Sequence, residues 1–187
     1  MHKIIQADRA LFGYINDHFH TNFFDTLMPV IRNSITWIPL YIFLLIFVLL
    51  NFKKHNWQWI AFAVIMVVFA NFVSSNLIKE HIMRLRPCND PSFASRIHFL
   101  LSYRPQSSGF TSSHAVNHFA MAAFFFFTLK KYIGKTAWLL FLWAALICYA
   151  QVYVAVHFPL DVASGAVLGF VFGYLFAKLY NRNYSLT

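Results

Sequence analysis

Acidic residues are scarce. The 187-residue chain holds six Asp and Glu against fifteen Lys and Arg, and charged residues of both signs make up only 11%. A water-soluble domain carries about 25% charged residues, so one large soluble core is excluded. Cysteine is nearly absent: Cys88 lies in a polar stretch and Cys148 in an apolar one, a poor basis for a disulfide and no guide to compartment. No low-complexity linker divides the chain and no repeat of solenoid period runs through it, so residues 1–187 are expected to form one domain. The net charge of +9 has no continuous basic face, zinc-finger spacing or basic helix behind it, which argues against a nucleic-acid partner. A cleaved leader is not expected, because Asp8, Arg9 and Asp17 interrupt the first turns.

What is abundant is apolar. Hydrophobic residues make up 59% and aromatics 20%, and the few charges fall in narrow windows between long uncharged runs. That pattern belongs to lipid-facing helices. The expected fold is all-α, an integral membrane bundle of about five transmembrane helices behind an N-terminal amphipathic helix. In residues 4–19, Ile4, Ile5, Leu11, Phe12, Ile15 and Phe19 alternate with Asp8, Arg9, Asn16 and Asp17. This segment is too polar to span, and residues 1–22 are expected to lie in the interface. Spans are expected over Ile35–Phe52 (extended back toward Phe23 past Pro29), Trp57–Ile78, Ala115–Leu129, Ala137–Val156 and Leu160–Ala177. Residues 79–114 form a long loop between the second and third. Gly165, Gly169 and Gly173 share one face of the last span, a stripe that lets two helices approach closely in lipid.

The connections sort the charges. Lys53, Lys54, Lys130, Lys131, Lys135, Lys178 and Arg182 fall on one side with no acid, while all six acids fall on the other. Short Lys-rich turns mark the cytoplasmic side. The acid-bearing face, with its long loop, is therefore expected to point outward, toward the periplasm or exterior of a bacterial inner membrane.

Ionisable and polar groups at membrane depth are functional candidates by default. Lys79 and Arg86 lie seven residues apart, about two helical turns, so if the second span continues they share a face and Pro87 ends the helix. Two convergent cations suit a phosphate, or equally an interfacial anchor. Gly109-Phe110-Thr111-Ser112-Ser113-His114 leads into the third span, where hydroxyls and free N–H groups make either an anion site or a simple cap. His114 adds a group that donates a proton near neutral pH. His157-Phe158-Pro159-Leu160-Asp161 pairs an imidazole with a carboxylate that orients it, for nucleophilic chemistry or for structure. Gln151 stands six residues before His157 in an apolar helix, where it can bridge helices.

In order and spacing these clusters resemble the type 2 phosphatidic acid phosphatase superfamily of membrane lipid phosphatases. That family's first motif is Lys, six residues, then Arg-Pro, met by Lys79 and Arg86-Pro87. Its second, Pro-Ser-Gly-His, reads Thr111-Ser112-Ser113-His114. Its third, Ser-Arg, five residues, His, three residues, Asp, reads Ala150-Gln151, His157, Asp161. The resemblance implies that His157 is the nucleophile, forming a phosphohistidine, that Asp161 supports it, and that His114 is the general acid. It further implies that Lys79, Arg86, Ser112, Ser113 and Gln151 surround the phosphate, with no cofactor and no metal.

The departure at Gln151 removes a charge and a forked donor. Losing one such transition-state contact costs about 2–4 kcal/mol. Arg84, Arg96 or Arg104 from the long loop can replace it; Arg84 and Arg104 are the leading candidates. Rival readings are a non-catalytic binder of phospholipid head groups, a metalloenzyme using His114 and His118 at i, i+4, and a transporter. Among substrates the resemblance points first to undecaprenyl diphosphate, then to phosphatidylglycerol phosphate, phosphatidate or lipid A phosphates. Phe93, Phe99, Leu100, Leu101 and Tyr103 of the loop are expected to cover the site and touch the lipid chain.

Overall fold

The computed structural model describes residues 2–186; Met1 and Thr187 lie outside the described residues. Every regular element among them is helical. The amphipathic N-terminal segment is α1 (His2–His18), which buries Asp8, Phe12, Gly13 and Asn16. Phe12 meets Phe93 and Phe158 edge-on, with ring centroids 5.0 and 5.3 Å apart, so α1 is a strap packed across one end of the bundle.

The expected extension of the first span back toward Phe23 is not what forms. A separate helix, α2 (Asn22–Arg32), is capped by Thr21 and contains Pro29; a 3-10 turn (Ser34–Trp37) follows, and α3 (Ile38–Asn51) makes the span. The break is Asn33, whose backbone is extended and whose side chain accepts from Ile35 N at 3.1 Å. The short polar side chain competes with the helix for backbone donors.

The second span is α4 (Asn56–Phe72), which continues through a π-helical turn (Val73–Ile78) into the single turn α5 (Lys79–His81). After the long loop, α6 (Ser113–Ile133), a 3-10 turn and α7 (Trp138–Tyr153) form one helical stretch of 41 residues. At 1.5 Å per residue that is about 60 Å, twice a bilayer core, and it is folded in two. Phe126 packs on Trp138 and Phe141 at 4.8 and 5.1 Å, and His118 on Trp143 at 5.1 Å. The turn uses Gly134 at φ +60°, a conformation glycine adopts without penalty. With α8 (Pro159–Asn183), five helices cross: α3, α4, α6, α7 and α8. Phe43, Val68, Leu139 and Val167 project outward, fully apolar and exposed, as a lipid-facing belt requires. The protein is an integral membrane helical bundle.

Its tightest seam joins α6 and α8. A Cβ on Gly169 would lie 2.2 Å from Val116 O, one on Gly173 2.2 Å from Ala120 O, and one on Gly165 2.8 Å from Ser112 O. The two backbones are therefore in direct contact, and both helices begin at the same end. Ser112 N donates to Asp161 O across 3.1 Å, so the seam holds the starts of the second and third motifs side by side. Cys88 and Cys148 are buried and free.

Candidate active site

The third motif is a turn between α7 and α8. Helix α7 stops at Tyr153, and Gln151 O accepts from both Val156 N and His157 N at 3.2 and 3.3 Å. Pro159 opens α8, where its missing N–H is no loss. Two residues on, the Asp161 carboxylate turns back to accept from Phe158 N at 2.9 Å. The other oxygen of Asp161 accepts from Arg84, which also pairs with Asp8 of α1; Asp8 in turn accepts from Leu160 N at 2.7 Å. The turn is thus braced by a chain of charges that reaches the N-terminal helix.

His157 is 2% exposed, and its Nε2 lies 3.0 Å from Arg86 Nη1. A guanidinium only donates, so Nε2 is the accepting, unprotonated nitrogen, and the neutral ring carries its proton on Nδ1. That nitrogen points toward Asp161 Oδ2 at 3.8 Å, and has no closer protein partner. Burial first of all pushes the imidazole down to about 4; Asp161 opposes the shift, while Arg86 and Lys79 add to it. The ring is held as a free base.

Arg86 does not reach this place on a helix. The expectation that Lys79 and Arg86 share one helix face fails, because the helix ends at His81 and the chain runs extended to Arg86. The segment pairs instead with the loop's return: Arg84 O accepts from Gly109 N at 2.8 Å, and Arg84 N donates to Ser108 Oγ at 3.2 Å. Arg86 is anchored through Ser107 O, Ser107 Oγ, Ser108 O and Val156 O, at 2.9, 3.0, 3.3 and 3.1 Å. Burial lowers its pKa. Lys79 arrives from the other direction, at the end of the π turn. Such turns recur at functional sites, because one extra residue rotates the side chains beyond it.

Lys79, Arg86, His114 and His157 line one cavity of about 180 Å³. Ser113, Gln151, Tyr103 and Arg32 complete most of its wall. Hollows of about 300 and 400 Å³ are almost wholly apolar, and two polar ones of about 220 Å³ hold no histidine, so the chemistry belongs to the cavity that gathers His114 and His157.

The second motif contributes unequally. Ser112 is fully buried and serves as the cap of α6, its Oγ accepting from Ala115 N at 3.4 Å. Ser112 is not among the residues that line the cavity. Ser113 is on the wall, and its Oγ is held by Ser74 and Ser75 of the π turn at 3.2 and 3.1 Å. His118, the other half of the i, i+4 pair with His114, is not among the residues that line the cavity. Its Nδ1 donates to His114 O at 2.7 Å, which leaves Nε2 to accept from Tyr41 OH at 3.2 Å.

Neither candidate for the missing cation is in the cavity. Arg84 is spent on Asp161 and Asp8, and Arg104 donates to Cys88 O at 2.5 Å beside the Phe99 ring. Arg96 faces Asp17 at 3.9 Å. Sequence reasoning missed Arg32, the C-terminal residue of α2, which lines the cavity next to Gln151. One signal pointed to it: between Arg9 and Lys53 it is the only Lys or Arg. The loop aromatics also differ from expectation. Phe93 packs on α1, and Phe99, Leu100 and Leu101 pack into the bundle's end; only Tyr103 reaches the cavity. Asp25 ties these pieces together, accepting from Tyr153 OH at 2.7 Å with His20 and His98 at 3.2 and 3.1 Å.

An all-helical membrane protein with a phosphate-sized polar cavity at one end is the class so defined. Residues 57–185 match the PAP2 superfamily, and the chain belongs to it. It is 28% identical to the lipid A 4'-phosphatase of Bacteroides thetaiotaomicron over 167 residues, covering 87% of this chain and 72% of that protein. It is 32% identical to the undecaprenyl-diphosphatase of Sulfolobus acidocaldarius over 136 residues, covering 71% of this chain and 58% of that protein. A PAP2-type phosphatidylglycerolphosphate phosphatase from Bacillus subtilis has the same fold, with a TM-score of 0.73 at 20% identity over 98% of this chain and 88% of that one. Aquifex aeolicus LpxE matches with a TM-score of 0.69 at 23% identity, over 90% of this chain and 93% of that one. The protein is a membrane lipid phosphatase.

Proposed function

We propose that the enzyme removes a phosphate from lipid A or a lipid A precursor through a phosphohistidine at His157, without a metal. The observation that carries the mechanism is the convergence of His157, His114, Lys79 and Arg86 on one cavity. Nε2 of His157, giving up the Arg86 N–H that holds its lone pair in the free enzyme, attacks phosphorus as the bond from phosphorus to the lipid oxygen breaks. His114 gives its proton to that oxygen, then takes one from the water that cleaves the N–P bond and releases inorganic phosphate. Phosphoryl transfer asks the protein mainly for alignment and for charge placed on the equatorial oxygens, and the cations supply that charge. Asp161, braced by Arg84 and the backbone, fixes the ring so that the proton stays on Nδ1.

The lipid A reading is preferred because relatives of that name align over nearly nine-tenths of this chain. Undecaprenyl diphosphate, first on sequence resemblance, is the second reading, favoured by the shorter alignment to a diphosphatase. The site end carries all six acids and the opposite end the Lys-rich turns, which supports a periplasm-facing site in a bacterial inner membrane. Purified enzyme in excess EDTA is expected to release phosphate from lipid A at least tenfold faster than from undecaprenyl diphosphate, phosphatidate or phosphatidylglycerol phosphate. The reverse order would move the assignment, and loss of all activity on chelation would end the metal-free mechanism.

The depressed basicity of His157 has a sign. The nucleophile must be unprotonated, and with its pKa near 4 it is so across the neutral range. The acid limb of kcat/KM against pH is therefore expected to fall through about 4, well below the ordinary histidine value of about 6.5. A limb at the ordinary value would place His157 in a wetter site than this one.

A further inference from the structure

We propose that Arg32 is the phosphate-gripping arginine of this enzyme, delivered from α2 to the place where the third motif has lost its own, and that Gln151 is the positioning residue that holds it there. The proposal rests on the cavity being the phosphoryl-transfer site.

Gln151 is wholly buried and makes a reciprocal pair with Arg32: its Oε1 accepts from Arg32 Nε, and its Nε2 donates to Arg32 O, both at 3.4 Å. One amide therefore clamps the side chain and the backbone of the same residue. With Nε engaged, both terminal nitrogens of Arg32 are left without a protein acceptor among the described residues, and no carboxylate pairs with it there. A guanidinium fixed at its stem and unneutralised at its fork, on the wall of a cavity, is arranged to receive an anion with two oxygens.

The other arginines at this end are already engaged. Arg9, Arg84 and Arg96 face carboxylates, and Arg104 donates to a carbonyl. Arg86 has five protein contacts for its guanidinium, and only the one to His157 Nε2 leads toward the reacting centre. The cations with donors to spare in the cavity are Lys79 and Arg32. Helix α2 is itself held in place, since Asp25 on it accepts from Tyr153 of α7. A glutamine where the family has arginine thus fits a second arginine entering from another helix: a guanidinium at 151 would meet that of Arg32, whereas an amide offers both a donor and an acceptor to seat it.

The test is an exchange. In Arg32→Ala, phosphate release by the detergent-purified enzyme is expected to fall about 100-fold, the scale set by removing one transition-state donor, and calorimetric affinity for inorganic phosphate is expected to fall at least tenfold. Arg32→Lys should lie between, since it keeps the charge and loses the fork. Arg32→Gln combined with Gln151→Arg should recover most of the activity that Arg32→Gln alone loses. A merely structural role would lower thermal midpoints in step and would give no such recovery. Phosphate affinity in Arg32→Ala equal to that of the unaltered protein overturns the proposal, as does an exchange variant that folds normally yet stays as inactive as Arg32→Gln. If the unaltered protein turns over no lipid phosphate, the phosphatase reading fails on its own, and the phosphate titrations still decide the role of Arg32.

Discussion

Replacing His157 with Gln is expected to remove turnover almost entirely, by about 10⁴- to 10⁶-fold, the range seen when a covalent nucleophile is deleted. That loss corresponds to about 5–8 kcal/mol of transition-state stabilisation. The geometry makes the substitution a clean one. Glutamine keeps an acceptor for the Arg86 N–H that now reaches Nε2 at 3.0 Å, and the remaining contacts of Arg86 are to Ser107, Ser108 and Val156. The guanidinium and the loop it anchors therefore have no reason to move, and affinity for inorganic phosphate should persist. What disappears is the nitrogen proposed to form the N–P bond. Rapidly quenched wild-type enzyme should carry an acid-labile, base-stable phosphoryl group, and His157→Gln should carry none. Purified variant that still releases phosphate would assign the nucleophile elsewhere, with His114 the next candidate on the cavity wall.

Much of this was legible from the chain, and the failures have physical causes. Hydropathy found the crossings because a bilayer tolerates little else, and the Gly165–Gly169–Gly173 period announced the seam. The first and third motifs located Lys79, Arg86 and His157 because their spacings are set by the local turn and loop that carry them. Three things were hidden. The helical phase between Lys79 and Arg86 was broken by pairing of residues 82–84 with Ser108 and Gly109, a non-local contact that no periodicity reports. Ser112 sits in a motif whose resemblance implies phosphate contact, yet a serine before a helix is equally a cap, and its hydroxyl caps α6. Arg32 lies well over a hundred residues from Gln151 along the chain, and only packing of α2 against the end of α7 brings them together. Arg84 and Arg104, the substitutes expected from the long loop, are engaged by Asp161, Asp8 and Cys88 O, and the arginine that lines the cavity comes from another helix.

Gly169→Leu is expected to abolish both folding yield and activity, and even Gly169→Ala to be severely destabilising. The nearest atoms to the new Cβ are backbone: Val116 O at 2.2 Å, Val116 C at 2.9 Å and Ala120 N at 3.0 Å. No rotamer change relieves a clash with main chain, so α8 must withdraw from α6 by about 1 Å to reach van der Waals separation. Such a displacement strips the dispersion contacts that hold helices together in lipid, where no hydrophobic effect favours their association. It is also transmitted to the site. Asp161 stands near the start of α8 and Ser112 caps α6, with Ser112 N bonded to Asp161 O at 3.1 Å. Separating the helices stretches that bond and shifts His157 relative to His114, and a misplacement of about 1 Å costs on the order of 100-fold in rate. Gly169→Ala should therefore lose activity by at least that factor in whatever fraction folds, with a lowered thermal midpoint in detergent. Val167→Leu, on the lipid-facing side of the same helix and 66% exposed, adds similar bulk where nothing opposes it and should behave as wild type. Equal stability and turnover for the two variants would mean that α6 and α8 are held apart by something other than their own backbones, and that the glycines do not set the distance between the two histidines.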